Sequence, residues 1–327
     1  MYDVITFGSN MVDLFVHTDQ SQVIDIHSKN DTTELISYPV GAKILINKHM
    51  QNLGGSGFNA AVSFSRIGLK TGYIGKTGRD PNSELIMKGL KKEKISFLGA
   101  RGKENGFSII LDSVEHDRTI LTYRGSNSEL KFTELTMSKL KTKWFFFTSM
   151  RDQSLHTMLK IAEHAWKNKI KIALNPSATM LDSYPKEAIN LIRYADVLVL
   201  NKEEAESLVG NSTREVNIMK LMVYGPQIIA ITDSKNGVVA YKDGYFYKIL
   251  PHKNLQIVES TGAGDSFAST LVAGLMLKKP FDFCLKMAII NAESVICHHG
   301  AQNLLLHRKS LFEAVKKDKR KIEKRKA

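Results

Sequence analysis

The chain is poor in several things at once. Of its 327 residues only two are cysteine, Cys284 and Cys297, and only seven are proline. Two thiols inside apolar helical patterns exclude a disulfide framework and read as reduced core residues, as expected of a cytoplasmic protein. Glycine and proline are scattered, which excludes a collagen-like or low-complexity chain and leaves no Pro/Ser-rich linker between domains. No apolar run reaches the roughly 18 residues needed to cross a bilayer, so no membrane partner is expected. The opening MYDVITFGSN reads as a strand rather than a basic segment followed by an apolar one, so no secretory signal is expected. No internal repeat, helix-turn-helix pattern or aromatic-rich surface motif appears.

What is present fits one large α/β unit: 43% of residues are hydrophobic and the formal charge is +13. Much of that charge sits in the tail 316–327, KKDKRKIEKRKA, with eight basic and two acidic side chains. The tail reads as a solvated helix end that frays, with weak contact to a polyanion as the functional alternative. Nothing else points to nucleic acid.

Buried-strand patterns recur at 3–9, 71–75, 143–149, 170–177, 195–201 and 227–233, with amphipathic helical patterns between most of them. Continuous apolar strands alternating with helices predict a doubly wound, mostly parallel sheet covered on both faces. VVAYKDGYFYKI predicts a DG hairpin, followed by two or three helices. Two stretches break the alternation. Residues 16–50 carry the short segments ELISY and KILIN, and 100–124 contain a second hairpin, FSIILDS to RTILTYR. Inserted strands of this kind predict a small β-sheet lid over a site. The expected organisation is one domain over 1–315 with these lid segments and a basic tail.

The glycine clusters need separate weighing. Gly55-x-Gly57-x-x-Ala60 matches a loose dinucleotide fingerprint, but it does not follow the first strand, and no acid closes the next one. A tight turn into a helix explains those glycines better. In ESTGAGDSFAS, Asp265 follows three small residues at the mouth of an apolar helix. Asp265 reads either as a helix cap or as an acid beside an anion-binding helix end. His298 and His299 lack a third ligand nearby and read as loop residues.

The order of these motifs is informative. GGSGFNAAVSFSRIGLKTGYIGKTGRD, NKEEAE at 201–206, ITDSKNG at 231–237, ESTGAGDSFASTLVAGL and HHGAQ at 298–302 resemble the signature regions of the ribokinase/PfkB family of small-molecule kinases. They run through almost the whole chain, with only the tail outside. The resemblance implies a ribokinase-type fold and ATP-dependent transfer of the γ-phosphoryl group to a primary hydroxyl. It implies Asp265 as general base and an anion hole from Gly262, Ala263 and Gly264. Asn201, Glu204, Thr232, Ser234 and Gly237 fall on the nucleotide side, with Glu204 holding Mg²⁺ through water. Asn201 and Glu204 also have the spacing of a capping box, and the two roles are compatible. Ser234 stands where the family usually has glycine.

On the acceptor side the resemblance implies Asn10, Asp13, Gly54, Gly55 and Asn59, with Arg124 placed to reach a carboxylate or phosphate. Met11 and Ser56 replace an asparagine and a lysine of ribose kinases, which argues against ribose itself. K⁺ is a further candidate at Glu259 and Thr261, where Glu259 replaces the family's usual aspartate. The expected acceptor is a small neutral sugar or a nucleoside. A sugar acid such as 2-keto-3-deoxygluconate, a sugar phosphate, or a catalytically silent binding protein are the alternatives. The lid is a candidate surface for pairing two copies.

Overall fold

The computed structural model describes residues 1–27, 32–112 and 118–327. Strand β1 (Tyr2–Phe7) opens the chain, which then leaves for β2 (Met11–His17), the hairpin β3 (Gln22–His27) and β4 (Thr32–Ser37), and β5 (Lys48–Gly54). It returns through α1 (Ser56–Arg66) to β6 (Thr71–Ile74), β7 (Lys76–Thr77), α2 (Pro81–Lys92), β8 (Ser96–Phe97) and β9 (Ala100–Arg101). Strands β10 (Gly106–Asp112) and β11 (Arg118–Tyr123) precede β12 (Thr142–Thr148), where strands and helices begin to alternate. That run is α3 (Asp152–Lys167), β13 (Lys171–Asn175), α4 (Ala178–Ser183), α5 (Pro185–Tyr194), β14 (Val197–Asn201), α6 (Lys202–Val209), α7 (Arg214–Met222) and β15 (Ile228–Thr232). The hairpin β16 (Val238–Lys242) and β17 (Tyr245–Ile249) follows. Helices α8 (Ala263–Met276), α9 (Phe281–Ile296) and α10 (Arg308–Lys317) then lead to β18 (Glu323–Lys326).

One ten-stranded sheet takes the order β18-β17-β16-β15-β14-β13-β12-β1-β6-β8. Every pairing from β8 to β15 is parallel, and the last three are antiparallel. Strand alternation divides the side chains between two cores. Ile5, Phe145 and Phe147 pack with α3, α5 and α7, while Val4, Phe146 and Ala173 pack with α1, α8, α9 and α10. Both faces are buried, which is why the strands read as continuous apolar runs. From β1 the chain steps to β6 on one side, whereas β12 steps to β13 on the other. The carboxyl ends of β1 and β12 therefore flank a topological switch point, where doubly wound folds leave a crevice.

A separate four-stranded sheet, β11-β10-β2-β5, forms the lid, with β3 and β4 as a free-standing hairpin. Its boundaries differ from the sequence expectation, since it begins at Met11 and takes in Gly54. KILIN at 43–47 forms no strand. Leu45 and Ile46 are exposed, and the backbone there is held by Thr18, Gln20 and His17 instead, so alternation without an apolar layer to cover leaves no pairing. Residues 28–31 and 113–117, both in the expected lid segments, lie outside the described residues. Cys284 is buried in α9, while Cys297 stands one residue past that helix.

The tail is no fraying helix end. Helix α10 stops at Lys317, and Arg320 turns inward to pair with Glu293 at 2.5 Å and Asp318 at 2.8 Å. Residues 323–326 then add β18 to the sheet edge against β17. Tyrosine rings capture the strand: the Lys324 ammonium lies 4.2 Å from the Tyr245 ring centre, and Arg325 pairs with Glu215 at 2.8 Å. A lysine-rich edge strand also discourages further strand addition.

Candidate active site

A cavity of about 380 Å³ opens where the parallel strands end. Ser9 follows β1, Ser149 follows β12, and Asn175, Asn201 and Thr232 close β13, β14 and β15; all five line it. Opposite them stand lid residues, and the first turn of α8 forms one end.

At that end Asp265 occupies the first turn of α8. Its carboxylate accepts from Asn59 Nδ2 at 2.9 Å and from the Ser56 hydroxyl. Burial raises its pKa, outweighing those two hydrogen bonds. A desolvated carboxylate of this kind is a stronger base than an exposed one. Gly262 is the N-cap with φ +81°, and a Cβ there would lie 2.4 Å from the Ala301 side chain, so glycine is required. Gly264 faces the cavity with nothing within 4 Å of its Cβ position, an open cradle beside a helix N-terminus. Ala263 departs from the expected anion hole. A tight turn sends its N–H back to the Ser260 carbonyl at 3.2 Å, and it does not line the cavity.

Among the residues expected on the nucleotide side, Asn201 and Glu204 form a reciprocal capping box: Glu204 N–H to Asn201 Oδ1 at 2.7 Å, and Asn201 N–H to Glu204 Oε2 at 2.9 Å. Both also line the cavity. Burial pushes Glu204 up to about 7, against the pull of the Asn201 and Ala178 N–H groups, and Glu203 and Asp265 raise it further. A buried carboxylate that is already half used suits a hydrated Mg²⁺ held through water. No group of three or more His, Cys, Asp or Glu among the described residues could cage a metal directly. Thr232 lines the cavity, but Ser234 and Gly237 do not. They shape the loop after β15 instead. Ser234 takes φ +37°, and Gly237 takes +72° where a Cβ would lie 2.1 Å from the Ile249 carbonyl oxygen.

Among the residues expected on the acceptor side, Asp13 lies within lid strand β2. The register places Asp13, Ser108 and Thr122 in one row across β2, β10 and β11, so all three face the cavity. Burial pushes Asp13 up to about 6, with the Ser108 hydroxyl opposing and Glu259 reinforcing the shift. Gly54 works by making room, since its Cβ would lie 2.0 Å from Asp13 Oδ2. Gly55, at φ +92°, passes against the Ser9–Asn10 backbone, and Gly57 crosses Gly8 with no room for a Cβ. These contacts, not a dinucleotide, account for the glycine cluster.

Asn10 and Asn59 are placed differently from the expectation. Asn10 is fully buried behind the cavity wall, donating to the Tyr73 hydroxyl at 2.9 Å and exchanging hydrogen bonds with Asn127. Asn59 borders the cavity, but both ends of its amide are used within the protein, by Asp265 and Gln302. Arg124 lines the cavity half-buried, and among the described residues it makes no ion pair. Burial lowers its pKa, Arg151 adds to that, and Asp152 opposes it. Thr261 lines the same cavity. Glu259 is buried beside a second one under the lid, accepting from Gly300 N–H at 3.0 Å. Ser108 and Thr122 carried no mark in the sequence, while Ser56 stood out only as a replaced lysine and Gln302 only as the end of the HHGAQ motif. Only strand register and loop packing bring them in.

Comparison with known proteins bears on the fold and the family. The 5-dehydro-2-deoxygluconokinase of Clostridium botulinum is 27% identical over 305 residues, covering 87% of this chain and 89% of that protein. The ribokinase of Lactococcus lactis is 27% identical over 253 residues, covering 76% and 81%. Arabidopsis thaliana ribokinase complexed with ribose and ATP superposes with a TM-score of 0.80 at 17% identity, over 97% of this chain and 99% of that one. A putative ribokinase II from E. coli in complex with ATP and Mg²⁺ gives 0.82 at 16% identity, over 97% and 100%. The pfkB family carbohydrate kinase model matches residues 25–308, and the chain belongs to that family.

Proposed function

We propose that this kinase transfers the γ-phosphoryl group of ATP to a hydroxyl of a small sugar acid. The observation that carries the transfer is Asp265 at the N-terminus of α8, on the floor of a cavity with hydroxyl-reading groups on its opposite wall. Asp265 takes the proton of the attacking hydroxyl as its oxygen bonds to the γ-phosphorus and the bond to the ADP oxygen breaks. The helix end at Gly264 stabilises the negative charge that builds on the transferred group. Mg²⁺, when bound with the nucleotide, offsets phosphate charge, and Glu204 and Asn201 would hold its waters. Asp13 and Ser108 accept acceptor hydroxyls.

Arg124 directs the choice of acceptor. It is a half-buried guanidinium in the cavity wall, near Arg151 and Asp152 but in no ion pair among the described residues. That arrangement favours a carboxylate. The resemblance to kinases named for a sugar acid supports the same reading. It moves the choice from the neutral sugar or nucleoside to the sugar-acid alternative. ATP consumption measured over a panel of sugar acids, their neutral analogues, pentoses and nucleosides tests this. A neutral sugar or nucleoside as best substrate overturns the sugar-acid assignment.

Two finer points belong to the same proposal. K⁺ near Glu259 and Thr261 is tested by replacing KCl with tetramethylammonium chloride at constant ionic strength. Pairing of two copies through the lid rests on exposed Ile120, Leu121 and Tyr123 of β11, and molar mass in solution tests it.

A further inference from the structure

A chain of two side-chain amides ends on Asp265. Asn59 Nδ2 donates to Asp265 Oδ2 at 2.9 Å, and Gln302 Nε2 donates to Asn59 Oδ1 at 2.9 Å. An asparagine amide can present either end to a carboxylate, and its carbonyl end would repel it. By occupying Oδ1, Gln302 leaves only the NH₂ end to face Asp265. The three residues come from different elements: α8, the first turn of α1, and the loop after α9.

The loop that carries Gln302 is held without its side chain. Arg66 Nη1 donates to the carbonyls of Gln302 at 2.7 Å and Leu305 at 3.1 Å, while Nε and Nη2 grip Glu93 at 3.1 and 2.7 Å. Gly300 N–H is fixed on Glu259 at 3.0 Å, and Ala301 packs on Gly262. The Gln302 amide is therefore free of any structural duty to its own loop.

We infer that Gln302 is a positioning residue for phosphoryl transfer, orienting the base Asp265 through Asn59. This rests on the assignment of Asp265 as base in the proposed reaction. A misdirected carboxylate is costly because proton transfer depends on near-contact geometry.

Steady-state kinetics of Gln302→Met, Asn59→Ala, the double variant and Asp265→Asn test it. Gln302→Met keeps the shape but has no donor, and should lower kcat about tenfold with both KM values nearly unchanged. In the Asn59→Ala background the same change should have no effect, because Gln302 acts only through Asn59. Gln302→Glu should be slower than Gln302→Met, since a carboxylate draws the Asn59 NH₂ to itself and turns the carbonyl toward Asp265. Normal kcat in Gln302→Met, a change confined to KM, or a loss that persists undiminished without Asn59 would overturn the relay while leaving the base intact. Near-normal turnover of Asp265→Asn would instead overturn the base.

Discussion

On the sheet side of the cavity, Asn201, Thr232 and Asp265 each stand where a strand ends or a helix begins. On the lid side, Asp13, Ser108 and Thr122 stand inside strands. The first wall is made by local devices: a capping box, a left-handed glycine N-cap and a helix dipole. The second is made by register, since a slip of one residue would turn all three side chains to the other face. A wall of local devices is suited to holding phosphate, whose chemistry never varies. A wall set by register can change one side chain at a time, which is where kinases with different acceptors are free to differ.

The sharpest way to break this division is at the base. Asp265→Asn should lower kcat at least about a hundredfold, the scale of a lost general base, while nucleotide affinity measured by calorimetry persists. Loss of nucleotide binding as well would place Asp265 in the phosphate site rather than in proton transfer.

Next in size is the lid wall. Arg124→Ala should cost about 10- to 100-fold in kcat/KM on a sugar acid, the value of a charge-assisted hydrogen bond, and leave a neutral analogue untouched. Equal losses on both would make Arg124 part of the general scaffold.

A smaller effect is expected where the cap and the metal role coincide. Glu204→Gln keeps the shape of the capping box but loses the charge, so the Mg²⁺ concentration for half-maximal activity should rise about tenfold. An unchanged titration would reduce Glu204 to its cap.

The smallest effect concerns stability and contrasts the walls directly. Asp13 titrates near 6 in the folded chain, above its ordinary 3.8, because burial penalises its charge. Between those values the folded state binds more protons than the unfolded one, so the cost of the buried charge fades as pH falls through 6. Asp13→Asn should therefore raise Tm by about 2–4 °C at pH 8, keep about half of that gain at pH 5, lose it only near pH 4, and weaken acceptor binding throughout. No stabilisation at pH 8 would mean that Asp13 is solvated.

Legibility followed the same division. The strand and helix alternation, the DG hairpin and the acid at the mouth of α8 are signals spaced within a few residues, and they could be read directly. Asn10 looked equivalent to Asp13 from sequence position, yet it falls in the loop before β2 and turns toward Tyr73. The KILIN alternation could not reveal that no apolar layer awaited it. The basic tail hid a strand, because its pairing partner β17 lies more than seventy residues earlier.

By itself, then, the sequence determined the doubly wound fold, the family and the place of an acid at the mouth of α8, because periodicity, caps and turn glycines act locally. Only the tertiary structure decided that Ser108 and Thr122 join Asp13 in one row, that Asn59 bonds Asp265, and that Gln302 reaches Asn59 from 243 residues away. Those are contacts between elements, set by register and packing, and nothing in the local order of residues specifies them.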